Sequence, residues 1–166
     1  MEAAIWGFIG TIVGALASIL TTFLVSWNNR WLQSDANKFK REEKRKEFQR
    51  TTLMQLQDAV MSAIRLAVRV HIEDTHYYRN NPDTDRPGLL PEELSNELML
   101  SIQELNRLIE RVDDDSLRIN LKNLRIKICE IQRSTSESHS HALVQDANTA
   151  FGVVQEEIGA ILRQNQ

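Results

Sequence analysis

A run of twenty-five residues without a charged side chain, residues 3–27, constrains this chain more than any other feature in it. A helix needs roughly 20 mostly apolar residues to cross the hydrocarbon core of a bilayer. Trp6 and Trp27 stand near the two ends of the run. At about 1.5 Å per residue they lie roughly 31 Å apart along a helix, close to the ~30 Å apolar thickness. Tryptophan favours the membrane boundary because its ring is apolar and its N–H is polar. Trp31 adds to the inner belt. A cleaved signal peptide needs a cationic start and a shorter apolar core, whereas Glu2 occupies that start here. The expectation is one N-terminal transmembrane helix, with residues 1–31 as the anchor.

The flanks orient it. No Lys or Arg precedes the run, while residues 30–50 hold eight Lys/Arg against four Asp/Glu. Cationic flanks stay on the cytoplasmic side, so the expected topology puts the N-terminus outside and the C-terminal domain in the cytoplasm. A single cysteine, Cys129, excludes an internal disulfide and agrees with a reducing compartment.

The run has two faces. At 100° per residue, Ala3, Gly7, Gly10, Thr11, Gly14, Ala17, Ser18, Thr21 and Thr22 fall in an arc of roughly 140°. Bulky residues such as Phe8, Ile12, Leu16, Ile19 and Phe23 fill the other side, with Val25 an exception. Lipid tails surround a simple anchor evenly and require no such division. Gly10-x-x-x-Gly14-x-x-x-Ser18 is a small-x-x-x-small series that lets another backbone approach. With one span per chain the partner is another chain, so a homo-oligomer is expected. Two forms stay open. One is a dimer or other non-conducting contact. The other is a bundle in which Gly7, Gly10, Thr11, Gly14, Ser18 and Thr21 face a pore. The hydroxyls favour the pore, although Ser and Thr also bond to their own helix backbone.

Beyond the anchor, residues 32–50 read as a basic juxtamembrane helix. Its cations Lys38, Lys40, Arg41, Lys44, Arg45 and Lys46 either form a solvated face or contact anionic lipid headgroups. No nucleic-acid-binding motif accompanies them. Residues 51–166 hold twelve Lys/Arg against eighteen Asp/Glu and keep helical periodicity throughout. Leu53, Leu56, Val60, Ile64, Ala67 and His71 mark the first face, on a helix expected from about residue 34 to 78. All three prolines, Pro82, Pro87 and Pro91, lie in the loop 80–91. Leu94, Leu98, Ile102, Leu105, Ile109 and Val112 form the second face, and Leu117, Leu121, Leu124, Ile128 and Ile131 the third. Leu143, Ala147, Phe151, Val154, Ile158 and Ile161 form the fourth. Asp113–Ser116 offers N-cap chemistry between the second and third. The expected fold is all-α: the anchor, the long basic helix and an antiparallel four-helix bundle. An extended antiparallel coiled coil is the alternative.

No phosphate loop, nucleophile elbow, paired-cysteine motif or H-E-x-x-H is present. The expectation is a protein without enzymatic activity, cofactor or metal. His71, Glu73 and His76 lie near one helix end and His139 and His141 near another helix start. A metal site is conceivable if those ends meet, but His71 and His76 project about 140° apart on a helix, and ordinary polar residues near a bundle end are the better reading. Cys129 reads as a small core residue.

The segment IGTIVGALASILTT, Ile9 to Thr22, resembles the anchors of many small bacterial single-pass proteins with a helical cytoplasmic domain. Some of these are membrane effectors of anti-phage defence systems, the Hailong-type effector among them. The resemblance covers about 25 residues and the general architecture, and no active-site residue comes with it. It implies an oligomeric effector in the bacterial inner membrane, held inactive until a protein sensor triggers it, that then permeabilises the membrane. The competing expectation is a membrane-tethered coiled-coil scaffold that recruits a soluble partner.

Overall fold

The computed structural model describes residues 2–81 and 88–164, with side chains for all of these except 2–6, 8, 9, 12, 29–32, 34 and 35. Among the described residues there are four helices: α1 (Glu2–Asn80), α2 (Glu92–Ile109), α3 (Asp115–Ile131) and α4 (Glu137–Gln164). No strand occurs among the described residues. The chain divides into two compact units, Met1–Arg45 and Lys46–Gln166. The helix expected to begin near residue 34 has no start there. No Gly or Pro lies between residues 15 and 80, so nothing in the sequence ends the helix that begins at Glu2. Residues 82–87 of the expected loop, with Pro82 and Pro87, lie outside the described residues.

In the first unit the described apolar side chains are exposed. Val13, Leu16, Ile19, Leu20, Phe23, Leu24, Val25 and Trp27 are each 54–67% exposed. Among the described residues, no helix is long and apolar enough to cross a membrane. Ile5, Trp6, Phe8, Ile9 and Ile12, which complete the run in the sequence, belong to the part whose side chains are not described.

The second unit is a four-helix bundle, and its ends show how the helices run. Gln49 of α1 donates to the Arg111 carbonyl at 3.1 Å and accepts from the Asp113 backbone N–H at 3.3 Å. These contacts tie it to the α2–α3 turn. Tyr78, near the other end of α1, donates to the Ser134 carbonyl at 2.6 Å in the α3–α4 turn. Thus α1 and α3 point the same way, and α2 and α4 return against them. Short connections enforce this up-down-up-down order.

Local chemistry sets the helix boundaries. The Asn81 side chain closes α1 by donating to the Tyr77 carbonyl at 2.9 Å. Pro91 precedes α2, with Glu92 and Glu93 in its positive first turn. Asp114 caps α3 by accepting from the Leu117 N–H at 2.8 Å. Ser136 caps α4 by accepting from the His139 N–H at 3.2 Å.

The core lies where the four apolar faces meet, which sets aside the extended coiled coil. Leu117, Leu121, Leu124, Ile128 and Ile131 of α3 are fully buried, as their spacing predicts. The face of α1 is rotated by about one residue from the expected one towards its end. Ala63 and Val70 take buried positions, while Ile64 and His71 are only partly buried. In α2 Leu108 is buried and Ile102 is partly buried. In α4 Leu143, Phe151 and Ile161 pack at the margin, leaving Ala147, Val154 and Ile158 in the centre. Cys129, expected in the core, is only partly buried because its neighbour Ile128 occupies the inward position.

Candidate functional site

Two features stand out, one in each unit. The first is the small face of α1. A Cβ added to Gly7, Gly10 or Gly14 would meet nothing within 4 Å. A glycine inside a helix costs about 1 kcal/mol relative to alanine. Three of them in succession therefore carry a cost that no packing within this chain offsets. Thr11 donates to the Gly7 carbonyl at 2.7 Å, Thr21 to Ala17 at 2.9 Å and Thr22 to Ser18 at 2.8 Å. These hydroxyl protons are satisfied by the turn below and do not depend on water. Ser18 is exposed on the same side of the helix.

On the opposite side, Trp27 is exposed and its ring lies 5.9 Å from that of Phe23. The other two expected interface anchors, Trp6 and Trp31, fall outside the described side chains. Lys38, Lys40, Arg41, Lys44 and Arg45 are exposed in the first unit, and Lys46 is exposed at the start of the second.

The second feature is a polar cluster that the apolar periodicity conceals. Continuing the buried line of α1 by four from Val70 gives Asp74, and by four again gives Tyr78. Both are buried, Asp74 being only 2% exposed. Ser134 of the α3–α4 turn donates to Asp74 Oδ2 at 2.8 Å. Ser140 of α4, fully buried, lies near enough to Asp74 to lower its carboxyl and stands 2.8 Å from His71 Nδ1. The Ser140 hydroxyl has one proton. When it goes to Asp74, a neutral His71 must donate to Ser140 through Nδ1–H.

Burial raises the Asp74 carboxyl above its ordinary value, against the lowering effect of the Ser134 and Ser140 hydrogen bonds and the His71 charge. Burial and the nearby His141 push His71 down, while Asp74 and Glu137 pull it up. The His71 and His141 rings stand with centroids 5.7 Å apart, tilted by 48°. Beside them Arg79 holds Glu137 through Nε at 3.0 Å and Nη2 at 2.8 Å. An open groove of about 740 Å³ runs along His71, Thr75, Arg79, Ser136, Glu137, Ser138 and His141. The buried Thr75 hydroxyl that borders it has no hydrogen-bond partner.

Of the histidines noted in the sequence, only His71 and His141 meet. His139 turns its ring to Thr135, accepting from the backbone N–H at 3.3 Å. His76 borders a separate groove with Gly88 and Leu89. No group of three His, Cys, Asp or Glu suited to a metal ion occurs among the described residues. No protein-family model, curated protein or solved structure matches this chain.

Proposed function

We propose that this chain is an oligomeric single-pass protein of the bacterial inner membrane. Its anchors pack against one another through the small face, and its bundle receives a protein partner in the cytoplasm. In this reading the assembled anchors are the output, a membrane-permeabilising effector opened when the partner engages, as in anti-phage defence. The supporting observation is the two-faced helix of the first unit. Three glycines have nothing over them among the described residues, and seven bulky apolar residues on the opposite side, Val25 apart, are more than half exposed. Lipid covers the second set at no cost, and neighbouring helices use the first. Lys38, Lys40, Arg41, Lys44, Arg45 and Lys46 then meet anionic headgroups on the cytoplasmic side.

The second reading is a membrane-tethered scaffold that does not conduct. The observation favouring it is that the Thr11 and Thr21 hydroxyls already bond to their own helix, so they call for no aqueous lumen.

The test is the full chain in nanodiscs and liposomes. A closed ring of four or more that passes ions in the presence of its partner supports the effector. An oligomer without flux under those conditions supports the scaffold. Gly10→Leu and Gly14→Leu should shift the assembly toward monomers, and Leu20→Ile should leave it unchanged. A chain that alkaline carbonate strips from membranes would sink both readings.

A further inference from the structure

Two different helices bring the His71 and His141 rings together on the wall of an open groove. We propose that this pair is a site for an exchangeable divalent transition-metal ion, Zn²⁺ or Cu²⁺, which ties the first turns of α4 to α1. Imidazole nitrogen is a ligand these ions favour, whereas Mg²⁺ and Ca²⁺ require oxygen.

The spacing of the rings fits one shared ion. An imidazole nitrogen binds Zn²⁺ at about 2.0–2.1 Å. The ring centre lies about 1.1 Å behind that nitrogen, so a tetrahedral ion would space two ring centres by about 5.2 Å. The observed centroids are 5.7 Å apart, tilted by 48°. Side-chain rotation alone covers a difference of about half an ångström. His141 is exposed and makes no hydrogen bond among the described residues, so its ring is at liberty to turn. His71 is held: its Nδ1 stands 2.8 Å from Oγ of the buried Ser140, which leaves Nε2 for an ion. A metal-binding histidine usually has its other ring nitrogen engaged in this way.

The surrounding charges suit a cation. Glu137 and Asp74 both act on His71 as negative charges. Arg79 opposes them, but both of its contacts go to Oε1 of Glu137. The groove past the two rings, about 740 Å³, is open to an ion and its waters. His139 is turned to Thr135, and His76 borders a separate groove, so neither competes. No third His, Cys, Asp or Glu completes a set among the described residues. Two protein donors, against the three or four of resident zinc sites, leave the other positions to water. Such a site fills and empties with the concentration of the ion. It belongs to the second unit, so it stands independently of what surrounds the first.

The test is titration of the full chain in non-ionic detergent at neutral pH with Cu²⁺ and, separately, Zn²⁺. Electron paramagnetic resonance of the Cu²⁺ complex counts the bound imidazoles. One ion per chain with two imidazole nitrogens is expected. His141→Ala should leave one nitrogen and weaken binding by about tenfold or more, since even a ligand's supporting contact is worth that much. His76→Ala should change neither. Zn²⁺ should raise the thermal midpoint of the parent chain by several degrees and that of His141→Ala by less, while Mg²⁺ should raise neither. His71→Ala should behave as His141→Ala does; should it fail to fold, His141→Ala decides alone, because that side chain is exposed and unbonded. Absence of binding, a single imidazole in the parent complex, a midpoint that Zn²⁺ leaves unmoved, or a two-imidazole signal that survives in His141→Ala overturns the site.

Discussion

Leu121 and Ile119 lie two residues apart on α3 and face opposite ways, which makes them a sharp test of the bundle. Leu121 is fully buried, and Ile119 is 67% exposed. Truncating a buried leucine to alanine removes its transfer free energy and leaves a cavity, at a cost of about 2–5 kcal/mol. The second unit, Lys46–Gln166, contains 121 residues. At about 2.1 cal/mol/K per residue, its unfolding entropy near 60 °C is about 0.25 kcal/mol/K. A loss of about 3 kcal/mol therefore lowers the midpoint by about 12 °C. Ile119→Ala changes an exposed side chain and should stay within about 0.5 kcal/mol, a shift of about 2 °C. The assay is thermal unfolding of the full chain in detergent by circular dichroism at 222 nm, with the residual helicity of the first unit as the baseline. Equal depressions, or a larger one for Ile119→Ala, would mean that α3 presents a different face to the core.

Three further substitutions probe single contacts by the same melt. Gly88→Ala places a Cβ 2.7 Å from Cγ of Tyr77, at the root of the ring where no flexible end can yield; a loss of about 1–3 kcal/mol is expected, and no loss would mean that the ring does not pack there. Gly152→Ala meets nothing within 4 Å in the middle of α4, so the midpoint should rise by about 0.5–1 kcal/mol equivalent; a fall would indicate an unseen contact. Tyr78→Phe removes the donor to the buried Ser134 carbonyl and should cost about 1–3 kcal/mol, whereas a neutral result would show that water replaces the hydroxyl.

How far the fold was legible depends on what each face asks of its residues. The α3 line was readable because a 4, 3 spacing of Leu and Ile has one helical interpretation, and all five residues are buried as spaced. On α1 the phase was harder to fix. Between residues 63 and 71 apolar residues are dense on two adjoining stripes, Ala63–Ala67–Val70 and Ile64–Val68–His71, and the sequence does not choose between them. The bundle chooses the first, and that decision carries Asp74 and Tyr78 inward. Extending the apolar line past Val70 would have exposed the polar cluster, because an aspartate on a buried stripe demands partners. Ser134 and Ser140 were beyond reach, since their proximity to Asp74 follows only from how α4 turns back on α1.

The small face of α1 poses the reverse problem, since its angular pattern was plain and its hydroxyls fit either form of contact. A threonine in a helix has the carbonyl four residues back within reach, and Thr11, Thr21 and Thr22 all use it. Hydroxyl content therefore cannot separate a wet axis from a dry contact, and the weight passes to the width of the small face. In a pair, each helix meets one neighbour along one narrow seam. In a closed ring, each helix meets two neighbours in different directions, so the surface that must stay small widens. An arc of roughly 140° is broader than the narrow seam of a two-stranded coiled coil and suits two neighbours. Gly7 and Gly14, over which a Cβ would meet nothing within 4 Å among the described residues, lie near the middle of that arc, where close approach is most needed, and Gly10 lies nearer its Ala17 edge. On this argument a ring is the geometry to look for first, and a stoichiometry of two would show that the outer residues of the arc, Ala17 and Thr22, are small for some reason other than contact.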